Sequence, residues 1–208
     1  MADCCATNAQ DNEQRRLLWT VLILNAAMFV VEFVAGWYAQ SAGLLADSLD
    51  MLADALVYGV SLYAVGKSLK HKASAALLNG TLQLLLAVLV LVDVGKKILL
   101  GAQPDTTLMY SVAFAALAVN ILCFALLYRH RRGDINLRAS WICSRNDMLA
   151  NTGVIGSAAL VTWIGAAWPD WLIGALIAMV ILLSALRIIR EAKASLSNGQ
   201  PVSDCCPH

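Results

Sequence analysis

The sequence predicts an all-α protein, a six-helix transmembrane bundle with both termini on the cytoplasmic side. Three observations predict it. Of 208 residues, 60% are hydrophobic and 14% charged, where a soluble domain has about half and about a quarter. Six apolar segments then follow one another, each close to the ~20 residues that a membrane-spanning helix needs. Finally, the basic residues between those segments fall almost entirely on one side.

In chain order, residues 1–16 form a polar N-terminal tail ending in Arg15-Arg16, with no cleavable signal pattern. The spans lie at roughly 17–38, 43–66, 73–95, 108–128, 139–163 and 170–191, so the bundle occupies 17–191. The breaks are short: Gln40-Ser41, Lys67 to Lys72, Gln103-Pro104-Asp105, Arg129 to Asp134, and Trp168-Pro169-Asp170. Open backbone cannot sit in lipid, so six helices joined by tight turns is the economical arrangement. Residues 192–208 are a polar C-terminal tail ending Asp204-Cys205-Cys206-Pro207-His208.

Orientation follows from the cations. Arg15, Arg16, Lys67, Lys70, Lys72, Arg129, Arg131, Arg132, Arg138, Arg187, Arg190 and Lys193 share one side, and only Lys96 and Lys97 oppose them. The positive-inside rule makes that side, and both tails, cytoplasmic. A net charge of +1 gives no reason to expect a nucleic-acid partner. The six cysteines include two adjacent pairs at the extreme ends, a poor disulfide framework, so free thiols are expected.

The second span carries Asp47, Asp50 and Asp54 within otherwise apolar sequence. Residues three and four apart stack on one helix face, so the three carboxylates form one acidic stripe. Each costs about 2.5–3.5 kcal/mol at the bilayer centre on insertion scales. A bound cation, a buried Lys or Arg, or protonation could compensate them. The fifth span repeats the theme: Cys143, Asp147 and Asn151 recur every four residues, with Arg145 almost on the opposite face.

Two such helices can meet around one ion. Asp50 and Asp54 offer two oxygens about 6 Å apart along the axis, and Cys143 with Asp147 offers one sulfur and one oxygen. Four N, O or S donors suit a tetrahedral divalent ion such as Zn²⁺. Carboxylates also load and release protons, so such a site can exchange a metal for H⁺. Asp47 and Asn151 are secondary candidates for the same ion.

The segment Ser41-Ala42-Gly43-Leu44-Leu45-Ala46-Asp47-Ser48-Leu49-Asp50-Met51-Leu52-Ala53-Asp54 resembles the helix-two signature of the cation diffusion facilitator family. On helix five, Leu137 through Asp147 to Ile155 is similar to that family's register. The resemblance implies a six-helix secondary transporter that exports divalent metal from the cytoplasm in exchange for protons. It implies no enzyme and no resident cofactor, with the metal, Zn²⁺ first, as substrate. It puts ligand roles on Asp50, Asp54 and Asp147, with Cys143 where a His or Asp is usual. A homodimer in the bacterial cytoplasmic (inner) membrane is implied too. The family usually carries a further cytoplasmic domain after helix six, so this chain reads as a short form.

The tails bear soft or borderline ligands, Cys4 and Cys5 at one end and Cys205, Cys206 and His208 at the other. They could capture metal before transport. Among the remaining polar groups, Asp93 and Lys97 read as an i, i+4 ion pair near the outer surface. Asn25, Asn79 and Asn120 read as interhelical hydrogen-bonding groups, and His71 and His130 as solvated loop residues. Two other functional classes use similar groups. A membrane-embedded metal sensor would use the tails and need no four-ligand site at mid-membrane. An intramembrane aspartyl protease also needs paired carboxylates, but the Tyr-Asp and Gly-x-Gly-Asp runs of such proteases are missing.

Overall fold

The structure, a computed structural model, describes the backbone of residues 2–64, 69–128 and 135–198. Within these, the side chains of 2–14, 61, 63–64, 69, 72, 135–143 and 198 fall outside the described set. Six helices follow in order: α1 Ala2–Tyr38, α2 Ala42–Ala64, α3 Leu69–Leu100, α4 Thr106–Tyr128, α5 Ile135–Ile164 and α6 Trp168–Asn198. The fold class is the expected one, and no strand occurs among the described residues.

Several helices overrun the apolar segments that announce them. Helix α1 continues back through the polar stretch to Ala2, α3 takes in Lys70 and His71, and α6 runs on to Asn198. Spanning length counts apolar residues, whereas a helix propagates through any good former. Ala, Gln, Glu and Arg are good formers and dominate 6–16. The described helix ends do coincide with backbone devices. Gly101 and Gly165 take left-handed conformations (φ 65° and 72°) just past α3 and α5. At Gly101 the Ala102 N–H reaches back to the Lys97 carbonyl at 3.1 Å, the closing bond of a Schellman turn. Asp105 caps α4, its Oδ1 accepting from the Thr107 and Leu108 amides.

Packing arranges the helices in two groups. Helices α1, α2, α5 and α4 close a four-membered ring through the pairs α1–α2, α2–α5, α5–α4 and α4–α1. Helices α3 and α6 pack on each other and flank the ring, both touching α2. Helix α2 therefore has neighbours on every side: α1, α3, α5 and α6. Its contact with α3 and α6 is built from small and branched side chains, Ala42, Ala46, Ala87, Ala178, Val90 and Ile181 among them. Small residues let membrane helices approach closely, where packing rather than water expulsion drives association.

Among the described residues, four helices are long and apolar enough to cross a membrane, with spans at Arg15–Tyr38, Ala73–Leu100, Thr106–Tyr128 and Trp168–Ser197. The two outside this set are α2 and α5, the pair that carries the polar stripes. Both are held against the other four, whose outer faces bear exposed apolar side chains such as Leu99, Leu100 and Leu183. That distribution is what lipid on the outside and polar chemistry on the inside require.

Candidate metal centre

Helix α2 owes its position to its N-terminus. Residues Gly36 to Ser41 close a Schellman turn at the end of α1, with Gln40 in the left-handed region (φ 54°) and the Ser41 N–H on the Gly36 carbonyl. Ser41 then caps α2, its Oγ accepting from the Leu44 amide at 3.1 Å. The same hydroxyl donates to Asp170 at the start of α6, at 2.6 Å. Asp170 also accepts from the Ala42 and Gly43 amides at 2.7 and 3.0 Å. One buried carboxylate from α6 thus satisfies the free donors of the first turn of α2 and complements its positive dipole end.

Glycine permits this approach. A Cβ at Gly174 would lie 2.6 Å from the Ala42 carbonyl carbon, and one at Gly36 2.9 Å from the Leu45 nitrogen. Helices α1 and α6 are therefore seated against the first turn of α2, which fixes the height of the acidic stripe in the bundle. Nearby, the expected Asp93–Lys97 pair forms at 2.7 Å, with Lys97 buried.

Below that anchor, the ring interior is polar on every wall. Asn25 and Glu32 come from α1, Asp47 and Asp54 from α2, Asn120 from α4, and Asp147 and Asn151 from α5; all are buried, most of them completely. Asp50 is half-buried. Asp54 accepts from the Tyr58 hydroxyl one turn along, at 2.8 Å. Asn151 donates to the Asp147 carbonyl at 2.9 Å and, more weakly, to Asp47 Oδ1 at 3.4 Å. The Asp147 carboxyl lies in the fields of Asp54, Asp50, Asp47 and Glu32, with Asp54 the strongest.

The structure thus brings Asp47, Asp50, Asp54, Asp147 and Asn151 to one interior. Cys143 is one turn before Asp147 on α5, but its side chain lies outside the described residues. So do the side chains of Cys4 and Cys5, and so do Cys205, Cys206 and His208 entirely. Among the described residues, no three His, Cys, Asp or Glu side chains close to metal-binding distances.

Two readings of individual side chains change. Asn25 and Asn79 were expected to bond between helices; their described bonds stay within their own helix, Asn25 to the Val21 carbonyl and Asn79 to Gln83. The Asn25 amide reaches the carbonyl one turn back more easily than a neighbouring helix, while Asn79 Oδ1 accepts from the Gln83 side-chain amide one turn on. Asn120 does reach across, its Nδ2 lying 3.9 Å from Met51 Sδ on α2. Arg145 is exposed on the outer face of α5, and Asp47 faces the interior and takes no part in capping the helix.

One residue of the site went unread in the sequence. Glu32 lies at the middle of the apolar face of α1, with no exposed surface. Its carboxyl lies in the fields of Asp47 and Asp50 of α2. Both Glu32 oxygens and Asp47 Oδ2 are buried without a hydrogen-bond partner. The same holds for Asn25 Oδ1, Asn120 Oδ1, Asp147 Oδ2 and Asn151 Oδ1. The ring interior therefore holds a surplus of buried oxygen acceptors, drawn from all four of its helices. An unpaired buried acceptor costs about 1–3 kcal/mol, more when charged, and a bound cation would relieve several of these together.

Comparison with known proteins fits this arrangement. Residues 18–197 match the model of the cation efflux transmembrane domain. The zinc transporter ZitB of Escherichia coli is 28% identical over 93% of this chain. A cadmium, cobalt and zinc/H(+)-K(+) antiporter of Bacillus velezensis is 25% identical over the same share. The metal cation efflux system protein CzcD of Cupriavidus metallidurans is 24% identical over 89%. The chain spans 66%, 66% and 63% of these relatives' lengths, just under two thirds. These relatives come from bacteria; the matched transmembrane domain and the apolar helices make this chain an integral membrane protein. It belongs to the cation efflux transmembrane domain family.

Proposed function

We propose that the protein exports Zn²⁺, and Cd²⁺ or similar divalent ions, from the cytoplasm in exchange for protons. The observation that carries this reading is the surplus of buried acceptor oxygens inside the α1–α2–α4–α5 ring. The proposed ligands are Asp50 and Asp54 of α2 with Asp147 and Cys143 of α5. Ligation by carboxylate and thiolate needs deprotonated groups, so metal entry displaces protons and metal exit takes them back. The zinc and proton-antiport names of the relatives support the same choice of substrates. The cysteine-bearing tails would raise local metal concentration without joining the membrane site. The decisive experiment is Zn²⁺ flux into sealed liposomes carrying the purified protein, with a trapped pH dye. Zinc uptake should be accompanied by proton counter-movement and accelerated by an imposed pH gradient. Uptake that neither moves protons nor responds to the gradient would defeat the exchange reading.

A further inference from the structure

We propose that Tyr58 of α2 is a positioning residue of the metal centre: its hydroxyl aims the Asp54 carboxylate, and its ring is held by the apolar layer that floors the polar interior. The role rests on the proposed ligation by Asp54 and adds to it a residue that need not touch the metal. Side chains on a helix lean towards its N-terminus, so the ring of Tyr58 runs back over the turn that carries Asp54. The phenol donates to Asp54 Oδ2 at 2.8 Å, and both residues are buried, Tyr58 completely. Among the described residues Tyr58 is the largest side chain with no exposed surface. What holds its ring comes from two other helices, Leu18 and Val21 of α1 and Cys123 and Leu127 of α4. All four are buried, three of them completely.

The layer has a fixed place in the ring. Towards the end that carries the chain termini, Val21 follows Asn25 on α1, Tyr58 follows Asp54 on α2, and Cys123 follows Asn120 on α4. On these three walls the change from polar to apolar comes within about one turn. On α5 the corresponding turn, at Cys143, lies outside the described side chains. The terminal torsion of an aspartate is broad, so a carboxylate lining a polar interior turns easily. A donor fixed in a packed layer removes that freedom before the ion arrives, and a ligand ordered beforehand loses less on binding. Hydrogen-bonded partners of ligating carboxylates typically contribute about 10–100-fold to metal affinity.

The test uses the purified full chain, with Zn²⁺ affinity read by competition against a chromophoric chelator and flux read in liposomes. Tyr58→Phe removes the hydroxyl and keeps the ring. It should weaken Zn²⁺ binding about tenfold or more and raise the half-saturating concentration for flux by a similar factor, with the maximal rate near wild type. With Co²⁺ as the probe, the visible absorption bands should change shape, because the ligand field follows the orientation of the carboxylate. Val21→Ala loosens the same layer and keeps the hydroxyl. It should lower the thermal midpoint and leave zinc affinity near wild type. Wild-type zinc affinity in Tyr58→Phe would overturn the proposal, as would loss of the fold in that variant or an equal loss of affinity in Val21→Ala. Asp54→Asn separates the two levels. If it too binds zinc as the wild type does, the assignment of the metal to Asp54 fails; if it alone loses zinc, only the role of Tyr58 fails.

Discussion

The Asp170 carboxylate accepts a 2.6 Å hydrogen bond from the Ser41 hydroxyl across 129 residues of sequence. Together with its two amide bonds, this makes the start of α6 the cap of α2. Asp170→Asn loses the charge and part of the acceptor capacity at a buried site. We expect a loss of about 1–3 kcal/mol, read as a lower thermal midpoint in detergent. Ser41→Ala should cost about 1 kcal/mol, the usual value of a lost N-cap. The double variant should cost less than the sum, because the two side chains share one bond.

The close approach of α6 to α2 gives a second expectation. Gly174→Ala would place a methyl 2.6 Å from the Ala42 backbone, while Gly156→Ala meets nothing within 4 Å. Overpacking costs about 1–3 kcal/mol, and here the obstacle is backbone, which cannot rotate away. Gly174→Ala should therefore lower the thermal midpoint clearly, and Gly156→Ala should leave it unchanged or raise it slightly through helix propensity.

As a proposed ligand, Cys143 should govern the choice of ion. Thiolate favours Zn²⁺ and Cd²⁺, whereas carboxylate and water suit Mn²⁺ and Mg²⁺. Cys143→Asp should shift preference towards harder ions and reduce Cd²⁺ transport more than Zn²⁺. Cys143→Ser should weaken both, since a neutral hydroxyl is a poor ligand. Competitive flux of Cd²⁺, Zn²⁺ and Mn²⁺ measures this. Superimposable selectivity in all three proteins would remove Cys143 from the site.

The cysteine tails should affect capture more than turnover. Truncating residues 1–10 and 200–208 should raise the half-saturating metal concentration while leaving the maximal rate near its original value. Complete loss of flux in a well-folded truncation would make the tails part of the transport path.

Much of this architecture was legible in the sequence because lipid constrains it so strongly. Spanning length and the cost of open backbone give six helices, and the i, i+4 spacing gives the stripes of α2 and α5. Glu32 escapes the i, i+4 pattern because no acid stands one turn from it on α1, unlike the stripe of α2. The signal was present all the same, as a lone acid between Val31 and Phe33 in an apolar span is costly unless something holds it. In the sequence Asp170 marks only a loop break, because its role depends on Ser41, Ala42 and Gly43, far away along the chain. Helix lengths were underread for a different reason, since apolar content marks the membrane and not the end of the helix.

In the proposed function the carboxylates of α2 and α5 hold the transported metal together. The most direct test compares Zn²⁺ flux in liposomes for wild type, Asp54→Asn and Asp147→Asn, each checked for insertion and a preserved thermal midpoint. Loss of flux in both variants, with the protein still folded, is the predicted result. Near-wild-type flux in both would contradict the assignment of the metal to this interior.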